Sequence, residues 1–321
     1  MADNPWFTER WIRFSFKGLA WFLSEEALNR WAASNPSGFG VPKKVGNVAL
    51  VLAGNIPAVG FADIFYVLMS GHRALIKYAS RDKALLSFLL QELSQLEPSW
   101  KEQFSEATTP LKDFDGVIVT GNADTARTLD HYFRAYPRIV RGHRQSVAVL
   151  TGLENHKELE GLALDMVAHF GLGCRNVTML LVPKDYDFGH LAETLEAYKD
   201  EFLQHHRFKN NYDYQKTLLL LNRIPHYAAG PLLLVPSENT LAPVSVVHYT
   251  TYENHTKVFS FLESHTSNIQ AVVSAAPWVP GAVSPGKAQF PEPGDYADGV
   301  NVAEFLASLQ GHQNILHLRS E

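Results

Sequence analysis

Residues 45–77, VGNVALVLAGNIPAVGFADIFYVLMSGHRALIK, carry the reading of the fold. Residues 45–53 form a near-continuous apolar run with β-branched members, the mark of a strand buried on both faces of a parallel sheet. Gly54-Asn55-Ile56-Pro57 punctuates that run. From Ala58 the apolar residues recur at helical spacing, and Gly71 stands at a C′-like position. Residues 73–79, RALIKYA, read as the next strand. Strand, helix and strand on short connections make one βαβ unit with a right-handed crossover.

The alternation continues in both directions. Downstream, helices are predicted over 83–96, 123–136, 158–170, about 190–204, about 211–222 and 257–264. Strands are predicted over 115–121, 146–150, 176–183, 231–235, 244–249 and 269–275. Residues 277–298 are rich in Pro and Gly, a long ordered loop ahead of a last helix near 302–309. Upstream, Phe7, Trp11, Phe14, Gly18, Trp21 and Phe22 recur every three or four residues as an aromatic stripe, and Asn35-Pro36-Ser37-Gly38 ends that helical pattern. The expected architecture is doubly wound α/β. Its expected parts are an N-terminal helical segment (1–43), a cofactor-binding α/β domain (44–147), a catalytic α/β domain (148–275), and a C-terminal loop and helix (276–321).

Composition removes several classes. The formal charge is −5 and no Lys/Arg-rich run exists, so nucleic acid is not an expected partner. The longest apolar stretches are far too short to span a bilayer, and residues 1–11 lack a secretory pattern, so the expected compartment is the cytoplasm. One cysteine excludes a disulfide framework, and the 14 histidines fall into no metal-ligand spacing, so no metal is expected.

Four places carry chemistry. Cys174 follows Gly171-Leu172-Gly173 between a helix and an apolar strand, with Arg175 beside it to favour the thiolate. On position alone it is either a nucleophile or a small buried hydrophobe. Asn55 lies where the first strand gives way to a helix, either as an oxyanion donor or as a turn asparagine before proline. Lys77-Tyr78-Ala79-Ser80-Arg81 ends the second strand, either cradling a dinucleotide's adenosine ribose or lying as a solvated basic loop. Thr120-Gly121-Asn122 ends another strand in the same manner, where backbone groups can approach a cofactor, although no GxGxxG is present. Residues 61–68 fit either an acyl tunnel or core packing.

Taken in order, these segments resemble the aldehyde dehydrogenase superfamily. The motifs AGNIP, FGLGCRN, NNYDY and DYADGV are more narrowly similar to the LuxC-type acyl-CoA reductases, from about Trp6 to Leu309. The resemblance implies two Rossmann-like α/β lobes with the active site between them, after the N-terminal helical segment. It implies Cys174 as nucleophile and Asn55 as oxyanion donor. It also implies Lys77 at the adenosine ribose and Gly121, with Thr120, near the nicotinamide. Ser80 stands where members selective for NAD often carry glutamate, and with Arg81 alongside this favours NADPH. Val140-Arg141-Gly142 occupies the region where hydrolytic members hold a water-activating glutamate, and no carboxylate occurs from Arg138 through Thr151. A chain without that base is expected to hydrolyse its acyl-enzyme poorly. Glu238 lies one position out of register with the family's ribose-binding glutamate.

The implied activity is NADPH-dependent reduction of an acyl-CoA or acyl-protein thioester to the aldehyde, with an acyl-transferring protein as a possible partner. An oxidative CoA-acylating dehydrogenase shares every residue, and a weakly catalytic acyl-binding homologue is the third reading. Family members carry more sequence ahead of WFTERWIRFSF, which implies a compact variant or a start further upstream. An exposed aromatic stripe would need covering, so a homo-oligomer is expected.

Overall fold

The computed structural model describes residues 4–35, 45–107 and 110–309. The chain divides into two compact units: unit 2 is Arg144–Pro291, and unit 1 is built from the chain before and after it.

Unit 1 opens with α1 (Glu9–Phe22), capped by the Thr8 hydroxyl, and α2 (Glu25–Ser34), capped by Ser24. There follow β1 (Asn47–Val51), α3 (Phe61–Met69), β2 (Arg73–Lys77), α4 (Lys83–Leu96) and β3 (Phe104–Glu106). Next come β4 (Gly116–Thr120), α5 (Ala123–Tyr132) and β5 (Arg138–Arg141). The five strands form one parallel sheet in the order β3-β2-β1-β4-β5. In β1, Val48 and Leu50 pack with Ile76, Ile118, Leu86 and Leu90, while Ala49 packs with Val117, Val119, Phe114 and Phe133. Both faces of the strand are therefore filled, which is why residues 45–53 read as one apolar run.

The N-terminal stripe meets the chain's own core. The Phe22 ring lies edge-on to Phe65 at 5.1 Å, and Trp31 sits 5.1 Å from Phe65. Within the stripe Phe7, Trp11 and Phe22 are buried, whereas Trp21 is exposed. Residues 64–68 belong to the same cluster, which resolves the tunnel-or-core alternative toward core.

Unit 2 contains β6 (Gln145–Val149), α6 (His156–Val167), β7 (Val177–Pro183), α7 (Gly189–Glu196), α8 (Lys199–Gln204) and α9 (His206–Leu221). It continues through β8 (Tyr227–Ala229), β9 (Leu232–Pro236), β10 (Val246–Tyr252), α10 (His255–Ser264) and β11 (Ile269–Val273). Its sheet order is β11-β6-β7-β10-β9-β8, parallel except where β8 runs antiparallel to β9. The chain then returns to unit 1, where α11 (Val302–Ser308) places Leu306 in that unit's core.

Some expectations shift. β3, β5 and β8 escape sequence reading because they are three or four residues long, too short to display a period, and all three lie at sheet edges. The helix expected over 158–170 ends at Val167, and the one expected to 136 ends at Tyr132. Residues 190–204 fold as two helices, not one, and α9 begins five residues before the expected start, at His206.

Candidate active site

Unit 1 gathers its candidate residues on one edge of its sheet. The register Val51↔Lys77 and Val51↔Val119 levels the carboxyl ends of β1, β2 and β4. Asn55 therefore leaves β1 beside Lys77 at the end of β2, and beside Thr120 and Gly121 at the end of β4. Between β1 and β4 the strand order switches direction, the place where open α/β sheets bind ligands. Asn55, Ser80 and Arg81 are exposed, whereas Lys77, Thr120 and Gly121 are half-buried.

Two loops on this edge touch closely. A Cβ on Gly54 would lie 2.7 Å from the Ala79 Cβ, so only glycine lets the Asn55 loop pass the turn after β2. From that turn the Asp82 carboxylate accepts the Ala58 N–H at 3.0 Å, and Val59 N–H also bonds to it. Burial pushes the Asp82 carboxyl up to about 7, against the pull of those two donors. Asn4, from the N-terminal segment, donates to the Gly54 carbonyl at 3.3 Å.

An unforeseen ion pair lies on the same side. Arg141, the last residue of β5, sets its Nη1 2.6 and 2.8 Å from the two carboxylate oxygens of Asp63 in the first turn of α3. Both residues are about 5% exposed, which makes this a buried pair rather than a surface one. Burial pulls the guanidinium down, but the charge of Asp63 and its hydrogen bonds outweigh that, and the net shift is upward. Arg141 pairs in register with Thr120. Arg141 Nε and Nη2 and Thr120 Oγ1 are buried with no hydrogen-bond partner among the described residues. Lys77 and Arg81, at the carboxyl edge of the sheet, suit the phosphates of a cofactor.

In unit 2, α6 starts on a capping box between Asn155 and Glu158. It stops where Ala168 turns extended and His169, Phe170 and Gly171 all take positive φ (52°, 59° and 74°). Three left-handed residues in a row need outside support. Asn176 supplies it. Its Oδ1 accepts the Gly173 N–H at 2.8 Å, and its Nδ2 donates to the carbonyls of Asp165 and Ala168 at 3.0 and 2.9 Å. Cys174, half-buried, stands inside this clamp. Ser146 Oγ donates to its carbonyl at 3.1 Å, and Gln289 Nε2 donates to the Arg175 carbonyl at 2.9 Å. Burial pulls His169 down to about 4, leaving a neutral imidazole at pH 7. Glu238 is exposed just after β9, whereas Cys174 precedes the amino end of β7.

The segment 284–289 backs α6. A Cβ on Gly161 would meet the Pro285 carbonyl at 2.7 Å, and the Gly286 N–H donates to Asp165 Oδ2 at 2.6 Å. Burial pushes the Asp165 carboxyl up to about 7 from 3.8, with the N–H groups of Gly286, Ala288 and Gln289 pulling the other way. Below pH 3.8 the group is protonated in both folded and unfolded chain. Between there and about 7 only the unfolded chain loses the proton, so stability falls as pH rises and then levels off. Asp165→Asn removes this dependence. Urea unfolding at several pH values should therefore show the variant gaining on the wild type by a few kcal/mol from pH 4 to 7, then no further. A difference that stays constant with pH refutes it.

A sequence model of the acyl-CoA reductase (LuxC) family matches residues 23–197, more than half of the 321-residue chain. The chain belongs to that family. The matched span of this LuxC-family chain holds Asn55, Lys77, Ser80, Arg81, Thr120, Gly121 and Cys174. None of the curated proteins matches it. Among solved structures it is similar to an indole-3-acetaldehyde dehydrogenase of P. syringae in complex with NAD+ and IAA (13% identity, 75% of this chain, 58% of that one, TM-score 0.56). It is also similar to an NAD-dependent aldehyde dehydrogenase of Sinorhizobium meliloti (13%, 75% and 56%, TM-score 0.58). A salicylaldehyde dehydrogenase of Pseudomonas putida G7 complexed with salicylaldehyde matches at 9% identity over 84% of this chain and 66% of that one, TM-score 0.57. These likenesses show the aldehyde dehydrogenase fold, and the LuxC-family chain spans less than two thirds of each of these proteins. Among the described residues no helix is long and apolar enough to cross a membrane, and no cluster of His, Cys, Asp and Glu could hold a metal ion.

Proposed function

We propose that this chain is an oxidoreductase that reduces a long-chain acyl thioester, acyl-CoA or acyl-protein, to the aldehyde with NADPH. The observation that carries the reading is the clamped loop presenting half-buried Cys174 within the span that matches the LuxC family. The Cys174 thiolate attacks the thioester carbonyl carbon; a new S–C bond forms, the old one breaks, and the displaced thiolate leaves to take a proton. The Asn55 amide donates to the oxyanion that forms on the way. Bound NADPH supplies the hydride for the acyl carbon. Cys174 is then released as the aldehyde departs.

The rest of the chain is assigned by chemistry. Lys77 and Arg81 would hold the adenosine ribose and its 2′-phosphate, and Ser80 brings no negative charge to oppose it. Thr120 and Gly121 would approach the nicotinamide end of the cofactor. No carboxylate occurs from Arg138 through Thr151, and both oxygens of the nearby Asp63 are engaged by Arg141, which supports reduction over hydrolysis.

The test follows the acyl group. Protein loaded from radiolabelled long-chain acyl-CoA should release the label as aldehyde when NADPH is added. Release as free acid would overturn the reductase reading, and labelling only from aldehyde with NADP+ and CoA would favour the oxidative direction. Asn55→Ala should slow loading roughly 10²–10³-fold, measured by quenched flow. NADPH oxidation against a ladder of acyl-CoA lengths then defines the chain length.

A further inference from the structure

Asp82 occupies the N-cap position of α4, where an aspartate ordinarily accepts from the helix's own first N–H groups, yet its side chain makes no such bond. It turns inward, 1% exposed, and accepts the N–H groups of Ala58 and Val59 instead. Ala58 has φ 57°, a conformation that a non-glycine residue holds only when its surroundings impose it. At the other end of the same loop, the Asn4 side chain, 2% exposed, donates to the Gly54 carbonyl. Asn4 is itself fixed, since its Oδ1 accepts the Trp6 N–H at 3.1 Å and its carbonyl accepts Phe7 N–H at 3.0 Å. Asn55 lies between these two holds, one from the N-terminal segment and one from the turn after β2.

We infer that Asp82 and Asn4 are positioning residues for the acyl-transfer step, acting through Asn55: together they set the curve of residues 54–59 and so the direction of the Asn55 amide. This rests on the reading of Asn55 as the oxyanion donor. An oxyanion donor works only when held where the charge will form, and a misplacement of about 1 Å costs roughly 10²-fold in rate. A buried carboxylate spent on two loop amides, rather than on its own helix, is placed to prevent that displacement.

A mutant cycle on the rate of acyl-enzyme formation tests it, with radiolabelled acyl-CoA and the full chain. Asp82→Ala should slow loading roughly 10- to 100-fold in the wild-type background, but less than about 3-fold when Asn55 is already alanine, because residues that act as a unit are not additive. Asp82→Asn keeps a side-chain carbonyl for Ala58 and should recover most of the rate. Asn4→Ala should show the same dependence on Asn55, and it carries the test with Asp82→Asn if Asp82→Ala does not fold. Losses that multiply equally in both backgrounds overturn the inference while leaving Asn55's role intact. Wild-type loading by Asn55→Ala overturns the parent reading instead, and this one with it.

Discussion

With Cys174 replaced by alanine, the protein is expected to take no label from acyl-CoA, and NADPH oxidation should fall by roughly 10³-fold or more, the scale seen when a covalent nucleophile is lost. The effect is large because the acyl group has no other attachment: this is the chain's only cysteine. Stability should change little. The side chain is half-buried, and the loop is held by Asn176, Ser146 and Gln289 through backbone groups that alanine retains. Mass spectrometry of the acyl-CoA-treated wild type should find the adduct on the peptide containing Cys174. Equal labelling of Cys174→Ala would overturn the covalent mechanism.

Asp63→Ala is expected to destabilise unit 1 by about 3–5 kcal/mol, because it strands the buried Arg141 charge without its partner. Two donors on the same guanidinium already lie buried without a partner among the described residues, so none of those residues is ready to compensate. The helix start loses an acidic residue as well, a smaller effect. At roughly 2–4 °C per kcal/mol for a unit of this size, the transition should drop by about 6–20 °C. The double change Asp63→Leu with Arg141→Met should recover most of that loss by removing both charges. Denaturation followed on unit 1 decides it, and a single-variant cost below about 1 kcal/mol would mean water reaches the guanidinium.

The candidate residues could be singled out because they stand at element ends that the sequence marks. Asn55 falls in Gly-Asn-Ile-Pro after an apolar run, Lys77 at the close of another, and Cys174 after Gly-Leu-Gly. Their supports left no such marks. Asn176 looks like the first residue of a strand, yet its amide closes the cysteine loop onto the carbonyls of Asp165 in α6 and of Ala168 just past it. Asp82 looks like a helix cap and holds a different loop. Val140-Arg141-Gly142 reads only as a missing base until Asp63, 78 residues away, is seen against it.

The sequence by itself determined the alternation of strands and helices, the double-sided burial of β1 and the order of the motifs, because periodicity records which faces of an element are dry. Only the tertiary structure decided the partners. Asp63 with Arg141, Asp82 with Ala58, Asn4 with Gly54 and Leu306 in the core of unit 1 each join segments brought together by folding. A side chain's local pattern says that it must be buried or bonded, but not to which distant group, since that depends on chain crossings no short window contains.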